Sequence, residues 1–270
     1  MKIGPDSALA TAISGSNAET IVVRGRELAR ELIGSITFTD HAWLLIVGAL
    51  PSANQRRVFD ATLVAIAEHG LVPSVQVARM TLAAAPEALQ GAVAAGLLGC
   101  GSVILGSSQA AGQVLSEVVT TGGPDGYDQA VRDLVSRYRA ERRAIPGYGH
   151  PLHKQRDTRA ERLFAVAAEV GLSGPHIAAA EAIERLLPEL IGRQLAINVS
   201  GAIPAVLLDA GYPLLALKGA PLLARTASLI AHLLEEQARP MGFALSEAAS
   251  ADIRYDGPAP EGFVPDERVA

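Results

Sequence analysis

Cysteine is nearly missing from the chain, with Cys100 as its one thiol in 270 residues, which excludes a disulfide framework and a four-cysteine zinc site. Basic charge is not in surplus either. The 28 acidic side chains outnumber 23 basic ones for a formal charge of -5, against the habit of a dedicated nucleic-acid binder. The amino-terminal MKIGPDSALATAIS has no long apolar run, so no signal peptide is read there and a reduced, cytoplasmic compartment is expected. Charge is absent altogether from Ala88 to Ser116, a stretch longer than the roughly 20 residues that cross a bilayer. Six glycines, four serines and three glutamines dilute it. Buried helices of a soluble core, or a subunit interface, are therefore expected rather than a membrane span.

What the chain has in quantity is Ala and Leu. Hydrophobic types reach 49% while aromatics are 4%, enough for a sizeable core in one large or two unequal domains. β-branched clusters are short, so the pattern favours helix almost throughout. Ser52-Ala-Asn-Gln55 reads as a capping box before a helix that Gly70 stops. Pro73, Pro86 and Pro175 sit where first turns tolerate proline. Helices are expected over Tyr127–Arg143, Asp157–Val170 and Pro221–Gln237, for roughly ten in all. A short hairpin near Ile21–Arg24 is the one possible strand pair, and the last fifteen residues read as a tail laid over the surface.

The basic residues are concentrated. From Arg132 to Arg162 nine of them face four acids. Over Arg132–Arg143 this reads as a solvated helix face. The remainder surrounds a glycine-rich turn, Ile145-Pro-Gly-Tyr-Gly-His150, where glycines would let backbone approach a ligand and cations would suit phosphate or carboxylate. Aromatics are not interleaved there, so a small polyanion fits better than a nucleic acid. Gly99-Cys-Gly-Ser-Val-Ile-Leu-Gly106 is one residue too long for a dinucleotide fingerprint and follows no strand. The histidines lack metal-ligand spacing, so no metal is expected. His41, His176 and His232 read as surface or interhelical residues.

Pro146-Gly-Tyr-Gly-His150, followed by Lys154 and Asp157-Thr-Arg159, resembles the PGYGH…DPR signature of the citrate synthase superfamily. Glu68-His69-Gly70, Asn198-Val-Ser-Gly and Arg225…His232 fall in the order of that family. The short chain and Asn198-Val-Ser-Gly-Ala-Ile place it nearest the citryl-CoA lyases and the C-terminal module of ATP-citrate lyase. The resemblance implies an all-α, citrate synthase-like fold, with a large helical domain (1–117 and 215–270) and a smaller inserted helical domain (118–214). It implies a coenzyme A site lined by Gly147, Tyr148, Gly149, Lys154 and Asn198. His69, Arg159 and Arg225 would hold carboxylates, and His150 would exchange a proton with the tertiary hydroxyl or keto carbonyl.

Three features depart from the family, one being its final carboxylate-binding arginine, for which Ala244-Leu-Ser-Glu-Ala-Ala-Ser250 offers no counterpart and only Arg239 and Arg254 are outlying candidates. Leu105 stands where a second catalytic histidine is expected, and Ser200 stands at the catalytic aspartate. The implied activity is retro-Claisen cleavage of citryl-CoA or a related 3-hydroxy-3-carboxyacyl-CoA. The alternatives are the reverse condensation and a non-catalytic CoA-ester binding protein. The implied partners are a CoA thioester and a keto acid, in a homodimer or dimer of dimers, with neither nucleic acid nor membrane.

Overall fold

The computed structural model describes residues 10–123, 126–149 and 157–263. Among these the chain forms eleven α-helices and one three-stranded antiparallel sheet, as the all-α expectation required. The strands are β1 (Ser14–Ser16), β2 (Ile21–Val23) and β3 (Arg26–Glu27). The β2–β3 turn places Arg24 at φ 50° and Gly25 at φ 80°, two left-handed residues of the kind a two-residue hairpin needs. The Arg24 guanidinium reaches on to the Leu45 carbonyl, with Nη2 at 2.6 Å.

The helices are α1 (Phe38–Val47), α2 (Ala53–Ala67), α3 (Pro73–Ala84), α4 (Leu89–Leu98), α5 (Gly106–Gly122) and α6 (Tyr127–Ala140). Then come α7 (Thr158–Glu169), α8 (Pro175–Ile191), α9 (Val199–Asp209), α10 (Gly219–Ala238) and α11 (Gly242–Ser250). The Ser52 box closes as read, with Gln55 N–H on the Ser52 hydroxyl at 3.2 Å and Ser52 N–H on Gln55 Oε1 at 2.8 Å. The last helix was not expected from sequence. Its start is capped from a distance by Glu236, which accepts from Met241 and Gly242 N–H groups.

Contacts divide the chain into two compact units, Met1–Ala65 with Ser107–Lys218, and Ile66–Gly106 with Gly219–Ala270. In the first unit α8 packs on α6 and α9, and α7 packs on α9. Helix α9 is buried from Val199 to Leu207 with the exception of Ser200, as expected of an all-round apolar helix at the centre of a core. Trp43, Phe59 and Tyr212 meet with ring centroids 5.5 Å apart. Asp209 at the end of α9 caps α8, accepting from Gly174, His176 and Ile177 N–H groups at 2.8–3.0 Å. His176 is thereby an interhelical residue, its Nδ1 2.8 Å from the same carboxylate.

The second unit packs α3, α4, α10 and α11 around Val75, Ala78, Leu82, Ala92, Leu229 and Leu233. The uncharged stretch is only partly interior. Ala92, Gly96, Ala111 and Leu115 are buried, but Leu98 and Val103 are 85% and 84% exposed. The stretch was expected in the interior or at a subunit interface; its interior part is seen, and the exposed Leu98 and Val103 lie at the end of α4 and in the turn before α5. The basic Arg132–Arg143 segment is a paired surface: Arg132 meets Glu189, Arg137 meets Glu117 and Arg143 meets Glu141.

Candidate functional site

The glycine turn is built as a short strand without a sheet. Tyr148 pairs antiparallel with Ile197, flanked by Gly149 N–H on the Ala196 carbonyl at 2.8 Å and Asn198 N–H on the Gly147 carbonyl at 3.0 Å. Asn198 then works in both directions. Its Nδ2 donates to the Gly149 carbonyl at 2.8 Å, and its Oδ1 accepts from Ser200 and Gly201 N–H groups, capping α9. Ser200, partly buried, lies on the first turn of that helix.

Glycine at 147 serves packing as much as any ligand. The residue has φ 88°, and a Cβ there would stand 2.7 Å from Gly201 Cα and 3.1 Å from Ala111 Cβ. On the side where a Cβ would point, the turn packs directly against α9 and α5. Hydrogen bonds among the described residues also engage the Gly147 carbonyl and both backbone groups of Gly149. Tyr148 turns its hydroxyl onto the Ala180 carbonyl of α8 at 3.0 Å. Burial, with the nearby Glu184 charge, pushes its phenol well above the ordinary value, so it stays protonated.

Asp157 joins two helix starts. The buried carboxylate caps α7 through Arg159 N–H at 3.0 Å, grips the Arg159 guanidinium at Nε (3.0 Å) and Nη2 (2.8 Å), and accepts from Val199 N–H at 3.1 Å. Burial alone would raise its pKa, but the Arg159 bonds and charge, with the Val199 N–H, hold it below the usual carboxylate range. Arg159 is therefore pre-oriented beside the cap of α9. Sequence reasoning placed Asp157 at a helix start but gave it no role at the site; the signal was its position two residues before an arginine.

Gly147, Tyr148, Gly149, Arg159, Asn198 and Ser200 thus gather in the first unit. His150 and Lys154 lie outside the described residues. His69 and Arg225 belong to the second unit. There the Arg225 side chain is 2% exposed, and its one described bond runs from Nη2 to the Ile66 carbonyl at 3.3 Å. Among the described residues its Nε and Nη1 have no hydrogen-bond partner. A buried guanidinium left so incomplete is costly unless an anion completes it.

His69 is exposed just beyond α2, and the residue before it carries a second cluster. Glu68 accepts from the Ser228 hydroxyl and from His232 Nε2 at 3.1 Å. Burial would raise its pKa, but bonds from Ser228, the Gly70 N–H and His232 outweigh this and draw it down to about 2. A carboxyl depressed on folding stabilises the protein above its unfolded pKa of about 4.5 and loses that contribution as pH falls toward 2. Glu68→Gln is accordingly expected to flatten the acid limb of stability, read as the urea midpoint followed downward from about pH 6 to about pH 3. An unchanged acid limb would contradict this account. Among the described residues, no group of three or more His, Cys, Asp or Glu side chains gathers as a metal site.

This fold and its paired helix starts define a class, and the comparisons identify it. The model of the citrate synthase C-terminal domain matches residues 49–242, and the chain belongs to that family. Within it, the chain is similar to citryl-CoA lyase from Hydrogenobacter thermophilus, with TM-score 0.84 and 30% identity over 96% of this chain and 98% of that one. ATP citrate lyase from Methanothrix soehngenii, solved with citrate and coenzyme A, superimposes with TM-score 0.78 at 22% identity, covering 98% of this chain and 44% of that one. Citrate synthase from Thermotoga maritima MSB8 gives TM-score 0.63 at 20% identity, covering 85% and 60% respectively. These last two likenesses are of fold. Among curated proteins none matches the chain.

Proposed function

We propose that the chain is a citryl-CoA lyase-like enzyme, cleaving citryl-CoA or a related 3-hydroxy-3-carboxyacyl-CoA to an acyl-CoA and a 2-keto acid. The observation that carries this reading is the 30% identity to a citryl-CoA lyase over nearly the full length of both chains. His150 takes the proton of the tertiary hydroxyl as the adjacent carbon–carbon bond breaks. The hydroxyl carbon becomes the keto carbonyl. The bond's electron pair moves into the thioester as an enolate, whose carbon is then protonated to give the acyl-CoA. Arg159 and Arg225 hold carboxylates by forked bonds, with His69 as a third donor. The glycine turn, Asn198 and Lys154 take the coenzyme A, with 118–214 as the smaller domain.

Two residues set the chemistry apart. The apolar side chain of Leu105 offers no hydrogen bond to an enolate oxygen, and the Ser200 hydroxyl is a poor base at neutral pH. Taken with the family's final carboxylate-binding arginine, which has no clear counterpart in residues 244–250, they favour a substrate that carries fewer carboxylates than citryl-CoA. They also support a second reading, a CoA-ester binding protein without turnover. A cytoplasmic homodimer or dimer of dimers completes the proposal, joined through the uncharged face that bears Leu98 and Val103.

The test is incubation with citryl-CoA and a panel of related thioesters, following thioester loss and keto-acid release. Turnover that His150→Ala abolishes supports the lyase; binding without turnover establishes the second reading. Leu105→His with Ser200→Asp is expected to raise a weak citryl-CoA rate on the order of 100-fold, the usual worth of one oxyanion donor. Efficient citryl-CoA cleavage by the unaltered chain would refute the preference for a less carboxylated substrate.

A further inference from the structure

His232 lies between two charged groups that together dictate which of its nitrogens carries the proton. On one side its Nδ1 is 3.3 Å from Arg79 Nη1. A guanidinium can only donate, so Nδ1 must accept and the ring proton belongs on Nε2. That nitrogen faces both oxygens of Glu68, at 3.1 and 3.2 Å. Arg79 is itself fully buried and bound at Nε to Glu236 and at Nη1 to Glu235, each at 2.8 Å. Every bond therefore has a defined direction, from Arg79 to His232 and from His232 and Ser228 to Glu68.

The chain of bonds ends on the turn that carries His69. Glu68 also accepts the Gly70 N–H, so its carboxylate brackets His69 from both sides. Ser228 and His232 are one helical turn apart on α10, and Arg225 lies one turn before Ser228 on the same face. Arg225 in turn bonds the Ile66 carbonyl. One face of α10 thus holds the end of α2 at Ile66 and Glu68 while carrying the incompletely bonded guanidinium.

The geometry points to His232 as a positioning residue that, through Glu68, sets His69 beside Arg225 for the carboxylates of the substrate. The inference rests on the proposed function for the identity of that substrate, but the placement of His69 is a property of the chain itself. Gln at position 232 can reproduce both roles, its amide donating to Glu68 and its carbonyl accepting from Arg79; Ala can reproduce neither.

The experiment uses the full chain with isotope-labelled histidine, the His69 ring signals being assigned with His69→Gln. His232→Ala is expected to shift and broaden the His69 signals, and His232→Gln to return them. With the thioester that the wild type turns over, His232→Ala should raise KM about tenfold while kcat stays within about threefold, since carboxylate grip is ground-state binding. His232→Gln should restore KM. A purely structural histidine would lower the melting temperature without moving the His69 signals. Unmoved His69 signals in His232→Ala, or a Gln variant that behaves like the Ala variant, would overturn the inference. Lack of turnover by the wild type retires the proposed lyase and leaves the His69 measurement standing.

Discussion

Arg225→Met is expected to make the protein more stable and, if Arg225 holds a substrate carboxylate as proposed, to weaken carboxylate binding. Removing a guanidinium that is 2% exposed, with Nε and Nη1 unpartnered among the described residues, relieves the cost of an incompletely bonded buried charge. Replacing such groups with apolar side chains of similar size typically gains about 1–4 kcal/mol. Binding should move the other way. Losing one member of a buried charge pair costs about 2–5 kcal/mol, or roughly 30-fold to several thousand-fold in affinity. Thermal unfolding with and without citrate reads both effects at once. The wild type should melt higher with citrate by mass action; the variant should start higher and not respond. A variant that melts lower than the wild type without ligand would identify Arg225 as a structural residue and remove it from the site.

Gly147→Ala should unfold or loosen the first unit far more than Gly149→Ala. Both residues have left-handed φ, 88° and 79°, and alanine in that region costs about 1–2 kcal/mol at either position. The difference lies in what the new methyl meets. At 147 it would stand 2.7 Å from the Gly201 backbone, in a helix that is buried along most of its length. At 149 it would be 3.4 Å from the end of the Leu195 side chain, which can give way. The backbone clash must displace the turn or α9, and a further 2–3 kcal/mol, roughly, is expected, as for overpacked cores. Urea unfolding should therefore place the Gly147→Ala midpoint well below that of Gly149→Ala at a similar slope. Equal losses would show that conformational strain, not the approach of Gly201, makes glycine necessary here.

The local features of the fold could be read from the chain because their causes are local. The Ser52 box, Pro73 and Pro175 at first turns, and Asp157 as the cap of α7 each act within four residues. The Pro-Gly-Tyr-Gly segment and Asp157-Thr-Arg159 were legible as a signature for the same reason, being short and contiguous. Helix α11 escaped notice because its cap comes from Glu236 across Arg239-Pro240, a pair that by itself reads as a stop.

The helical class, the family and the residues proposed for carboxylate and coenzyme A binding are legible in the sequence alone. These follow from periodicity, caps and contiguous motifs, which need no knowledge of distant contacts. Tertiary structure decided which of those residues are already committed. Gly147 meets Gly201 across 54 positions, Asp157 reaches Val199 across 42, and Glu68 finds His232 across 164. No propensity or spacing rule couples positions so far apart; their pairing follows from helices packing to bury apolar faces, which brings polar groups together as a consequence. The same packing leaves Arg225 buried with two nitrogens unmet among the described residues, a condition that belongs to the folded chain alone.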